Sequence, residues 1–187
     1  MALTTDQYID KVYYAWGHGQ PQANAGVISA AIEADLPRAL QRLADITAKD
    51  PALAPLLQKS FSLTLTSGVV TLDATLLTSK EARQRYFVTL VGVTNPLQQL
   101  WNREDLFNPP NQRDYFFYTI SAHTMVVRKY DGTTPTDTTG SLVGSYVPTV
   151  GQVPDELIDN IIDIGVSMIA EVPSLSPQVA QTASAAE

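Results

Sequence analysis

Three aspartates, Asp155, Asp159 and Asp163, recur at every fourth position late in this 187-residue chain, and Glu156 sits beside the first. On a helix, residues four apart are neighbours about one turn (~5–6 Å) from each other, so this spacing puts the three aspartates on one face. Such a face suits two kinds of chemistry. It can attract a hard cation such as Ca²⁺, or it can act at a distance by repelling polyanions or receiving a complementary partner. Calcium sites of the EF-hand kind wrap the ion in oxygens from a loop turned by glycine. No glycine-centred loop accompanies these carboxylates, so no metal site is expected. Like charges at this spacing cost a few tenths of a kcal/mol per pair. The positive end of a helix relieves Asp155 and Glu156 but does not reach Asp163. Asp155, Glu156, Asp159 and Asp163 therefore form a candidate channel-lining or partner-facing surface.

Other chemistry is sparse. The two histidines, His18 and His123, lie far apart, one in a glycine-rich turn and one between strands, and no Gly-x-Ser-x-Gly elbow accompanies them. Neither a phosphate loop nor a dinucleotide-binding glycine fingerprint is present; Gly17-His-Gly19 reads as a helix stop. The aromatic run from Tyr115 to Tyr118 could stack bases or sugars. No basic patch flanks it, and aromatic residues favour strands, so it reads as sheet core. No catalytic residue and no cofactor is expected, and the chain does not read as an enzyme.

Charge distribution is more informative than its sum of −7. After Lys129 there is neither lysine nor arginine, while Asp131, Asp137, Asp155, Glu156, Asp159, Asp163, Glu171 and Glu187 all follow. Tight phosphate-backbone binding needs clustered Lys and Arg, so the balance argues against it. An acidic surface can still face nucleic acid where the task is to let it pass without adhesion. Arg83, Arg85, Arg103 and Arg113 make the centre mildly basic and could pair with the acidic third of the same chain or of a neighbouring copy. Charged residues are only 17% of the chain, below the roughly 25% of ordinary soluble domains, which points to neutral or covered surface. Cysteine is absent, which excludes disulfides and thiolate metal sites and is compatible with folding in a reducing cytoplasm. Neither a signal peptide nor a membrane span is expected.

The elements that must position these residues run helices, strands, helix. A first helix starts near Thr4 or Thr5, with the hydroxyl as cap, and carries Tyr8, Ile9, Val12, Tyr13 and Trp16 at helical spacing. A second spans about 24–49, with Pro37 predicting a kink or break near Leu36. A short helical turn is expected over 53–58. Alternation then begins, with Phe61, Leu63 and Leu65 facing one way, a turn at Ser67-Gly68 and a return strand over 69–72. A brief helix over 79–84, a strand over 86–93 and one or two helical turns over 98–106 come next. The break at 108–111 leads into a hairpin of 115–120 with 124–128 and a last weak strand over 142–147. Helix 154–171 buries Leu157, Ile158, Ile161, Ile162, Ile164, Gly165, Met168 and Ile169 on one face.

This order defines an α+β fold. Helices from both ends pack together around an inserted antiparallel β-rich module, with an extended C-terminal tail. The expected regions are a helical region over 1–59, the β-rich module over 60–150, the acidic helix over 151–172 and the tail over 173–187. Thr133, Thr134, Thr136, Asp137, Thr138 and Thr139 read as an exposed threonine-rich loop, a candidate docking loop.

In layout the chain resembles the head-to-tail adaptor (neck or connector ring) proteins of tailed bacteriophages. The resemblance rests on the N-terminal helical region and the stretch from Phe61 to Leu72. It rests also on the strands ending at Tyr118-Thr-Ile-Ser-Ala-His-Thr-Met-Val-Val127 and the acidic-capped helix from Val153 to Val166. It implies a non-enzymatic virion component, folded in the host cytoplasm and located at the portal vertex. Such a protein forms a ring, usually dodecameric, bound to the portal and to tail proteins, and lets DNA pass without specific binding or any membrane contact. The acidic face would then look into the channel, the β-rich block would form the outer wall and the C-terminal tail would reach onto the portal. This chain departs from the smallest adaptors in its sizeable β-rich block. Two other readings stand beside it. One is a tail-completion or capsid-associated virion protein; the other is a ligand- or carbohydrate-binding β module.

Overall fold

The computed structural model describes residues 2–19, 21–72, 87–94, 96–100, 115–121, 123–129, 135–172 and 175. The brief helix over 79–84, the break at 108–111, Arg83, Arg85, Arg103, Arg113, Thr133, Thr134 and all of 173–187 except Leu175 lie outside them. The fold is α+β and forms two compact units. One comprises Met1–Leu43 with Pro148–Glu187, the other Ala44–Val147.

In the first unit, α1 (Thr5–Trp16) is opened by a capping box. The Thr4 hydroxyl accepts the Gln7 N–H (3.2 Å) and the Gln7 side chain accepts the Thr4 N–H (3.1 Å). Two otherwise orphaned donors are thereby satisfied. The face bearing Tyr8, Val12, Tyr13 and Trp16 is buried. Gly17, His18 and Gly19 stop the helix, and Gln22 braces the turn by donating its N–H to the Tyr13 hydroxyl (2.6 Å).

Helix α2 (Ala25–Lys49) runs unbroken through Pro37, so the break expected near Leu36 does not occur. A proline in a helix interior costs about 3 kcal/mol by removing one hydrogen bond and crowding the preceding turn. Here Ile28 and Ile32 are buried before it and Leu40 and Leu43 after it, while Pro37 itself is exposed. Burial of such side chains is worth about 1.5–3 kcal/mol each, enough to hold the helix through the proline.

The acidic helix begins with a single 3₁₀ turn, Asp155–Leu157, and continues as α3 (Ile158–Ala170). Leu157, Ile161, Ile164, Gly165, Met168 and Ile169 are buried, and α3 packs directly on α1. The terminal helices therefore do associate, as the periodicity predicts.

Among the described residues, the second unit holds seven strands. They are β1 (Gln58–Leu65), β2 (Val69–Thr71), β3 (Phe87–Leu90), β4 (Gln98–Gln99), β5 (Tyr115–Ser121), β6 (Thr124–Lys129) and β7 (Thr138–Ser145). They form a three-stranded sheet in the order β1-β7-β3 and a four-stranded sheet in the order β2-β6-β5-β4. All pairings are antiparallel except β4 with β5, which is parallel. Leu63, Leu65, Val88, Leu90 and Leu142 from the first sheet share one core with Val70, Phe117, Met125 and Val127 from the second.

The sheets also meet at their edges. Thr66 pairs with Val69 across the turn between β1 and β2. On the opposite side the Leu97 N–H donates to the Val88 carbonyl (2.8 Å), tying the approach to β4 onto β3. The two sheets are thus joined by one bridge on one side and one hydrogen bond on the other.

Three expectations need correction. Residues 98–99 form β4 where helical turns were expected, because their backbone is captured by Phe116 and Phe117 of β5. The strand expected over 86–93 ends at Leu90, where the Val93 N–H closes a turn on the Leu90 carbonyl and Gly92 adopts φ +80°. Finally, β7 begins at Thr138 and is the central strand of its sheet, paired with both β1 and β3.

Candidate functional site

The four acidic residues read from the sequence all lie on one segment of the first unit. Asp155 and Glu156 occupy the 3₁₀ turn and Asp159 and Asp163 the first half of α3, and all four are exposed. Their outward placement follows from what the opposite face does. Gly165 has no side chain, and α1 approaches so closely there that a Cβ would stand 2.5 Å from the Tyr8 hydroxyl oxygen and 2.8 Å from Val12 Cγ2. Rotation of α3 about its axis is therefore blocked, and the carboxylates are held outward by packing on the other side. Asn160, Ser167 and Glu171 continue the exposed polar face. Among the described residues, no group of three or more His, Asp or Glu residues is placed to hold a metal ion.

Tyr8, on the buried face of α1, has a displaced titration. Burial pushes its phenol up to about 12, and the negative charge of Asp35 adds to the effect. The hydroxyl stays neutral at any physiological pH, consistent with a packing role against α3.

The proposed docking segment divides. Pro135 bridges to Arg128, and Thr136 accepts the Gly68 N–H through its carbonyl (2.8 Å). The carboxylate of Asp137 accepts the N–H of Ser67. Thr138 and Thr139 are not loop at all but the first residues of β7, paired with Leu65 and Thr64. The physical reason is the β1–β2 turn, where Ser67 and Gly68 both have positive φ (51° and 74°), the geometry of a two-residue type I′ hairpin turn. A Cβ on Gly68 would lie 2.7 Å from the Val127 carbonyl oxygen and 2.9 Å from Pro135 Cβ, so the turn is tucked beneath residues 135–137.

The sequence reading missed a second surface in this unit. On the outer face of β1-β7-β3, Ser62, Thr64, Thr89, Thr139 and Ser141 surround a depression of about 460 Å³, walled at one end by Val91. Register explains the convergence. Ser62, Ser141 and Thr89 form one cross-strand row, and Thr64 and Thr139 form the next. The Thr89 and Ser141 hydroxyls are 3.0 Å apart and hydrogen bonded. Alternation in Ser62-Leu63-Thr64 and Thr139-Gly140-Ser141 carries the signal, but only the strand order brings these segments side by side.

The aromatic run is divided as strand geometry requires. Phe116 and Phe117 are each 1% exposed, and Tyr115 and Tyr118 are partly buried against the adjoining clusters. No helix among the described residues is long and apolar enough to cross a membrane. No family model matches this chain, and no curated protein matches it.

Proposed function

We propose that this chain is a structural virion protein, a head-to-tail adaptor whose copies form a ring, dodecameric in the resembled family's manner, between the portal and the tail of a tailed bacteriophage. One observation carries the reading: four carboxylates fixed outward on a helix whose opposite face is locked against α1. A polyanion approaching such a face is repelled within about one Debye length (~8 Å at physiological salt). Repetition of the face around a ring would multiply the effect and keep DNA phosphates from adhering during packaging and ejection. The resemblance in layout supports the same role, with portal and tail proteins as partners and the virion neck as location.

A tail-completion or capsid-associated role would use the same surfaces without affinity for a portal. The carbohydrate-binding reading asked for an open aromatic cleft at 115–118, and burial of Phe116 and Phe117 takes away that support.

The test joins mass and ejection. Native mass of the full chain, alone and mixed with the portal protein of the same virus, should give a closed ring alone or on the portal. Asp155→Lys, Asp159→Lys and Asp163→Lys together should slow DNA release from assembled particles. A chain that stays monomeric and ignores the portal would refute the adaptor role, and unchanged ejection would refute the channel placement.

A further inference from the structure

We draw no further inference here: the strongest candidate, the depression lined by Ser62, Thr64, Thr89, Thr139 and Ser141 on the outer face of β1-β7-β3, carries nothing because no feature of the structure shows what covers it.

Discussion

Replacing Gly165 by alanine sets two well-measured effects against each other. In an ordinary helix interior, Gly→Ala stabilises by about 0.8–1 kcal/mol, because glycine loses more backbone entropy and alanine loses almost none. At Gly165 the added methyl would stand 2.5 Å from the Tyr8 hydroxyl oxygen, 2.8 Å from Val12 Cγ2 and 3.2 Å from Tyr8 Cζ. Non-bonded carbon contacts are comfortable at about 3.5–4.0 Å. Tyr8 is 1% exposed and Val12 fully buried, so neither can swing into solvent to make room. Overpacking of this kind costs about 1–3 kcal/mol, and two contacts below 3.0 Å put this site in the upper half of the range. Subtracting the helix gain leaves a net loss of about 1–2 kcal/mol. Urea denaturation followed by tryptophan fluorescence, to which Trp16 buried on α1 contributes beside Trp101, reads that loss. The same substitution in a Tyr8→Phe background should cost less, since the oxygen that makes the shortest contact is gone, while the Val12 contact keeps the rescue partial. A Gly165→Ala protein more stable than wild type would refute the close packing of α1 on α3. An equal cost in both backgrounds would show that the obstacle is not the Tyr8 hydroxyl.

Three further outcomes follow from the same reasoning. Because burial and Asp35 raise the Tyr8 phenol to about 12, its neutral form is favoured in the folded state, and that contribution is fully present below the unfolded value near 10. Stability should fall by about 2–3 kcal/mol as pH rises from about 10 to 12, and Tyr8→Phe should flatten this decline in urea midpoints taken across that range. Gly140→Ala should destabilise by about 2–3 kcal/mol in thermal melts, since its Cβ would lie 2.5 Å from the Thr89 carbonyl oxygen, a backbone atom that cannot rotate away. Asp137→Ala removes the acceptor of the Ser67 N–H and should cost about 1 kcal/mol in the same melts, the exposed N–H turning to water instead.

The helices were legible because one physical cause, burial of a single stripe, dictates both the sequence pattern and the structure. Tyr8, Val12 and Trp16, and likewise Leu157, Ile161 and Met168, stand where the period demands. Exposure of Asp155, Glu156, Asp159 and Asp163 follows from the same periodicity. Strand β7 reads as only a weak strand from Leu142 on, and its first half escaped notice, because it places Gly140 and Gly144 in the inward positions flanking Leu142, so its apolar alternation is nearly silent. Its threonines read as loop although they pair with Thr64 and Leu65. Pro37 misled for the opposite reason: a strong local signal was outweighed by core contacts on both sides of it. The hydroxyl-lined depression could not be foreseen at all, since it is a property of strand order and not of any one segment.

The pairing of distant segments also sets the order in which the molecule can be made. During synthesis, every strand of β2-β6-β5-β4 is out by Lys129, but β1 emerges early and its partner is β7, so the three-stranded sheet is incomplete until Ser145 has left the ribosome. Helix α1 waits longer still, because Gly165 and its neighbours on α3 are among the last described residues to appear. Loop closure over such spans is slow compared with local helix formation. Translation would therefore complete the strand-rich unit first and the helical unit last, so the acidic face is held in its outward position only when the chain is almost finished. A copy truncated before α3 would hold every strand of both sheets yet present no fixed acidic face, a defect that total yield of folded β structure would not reveal.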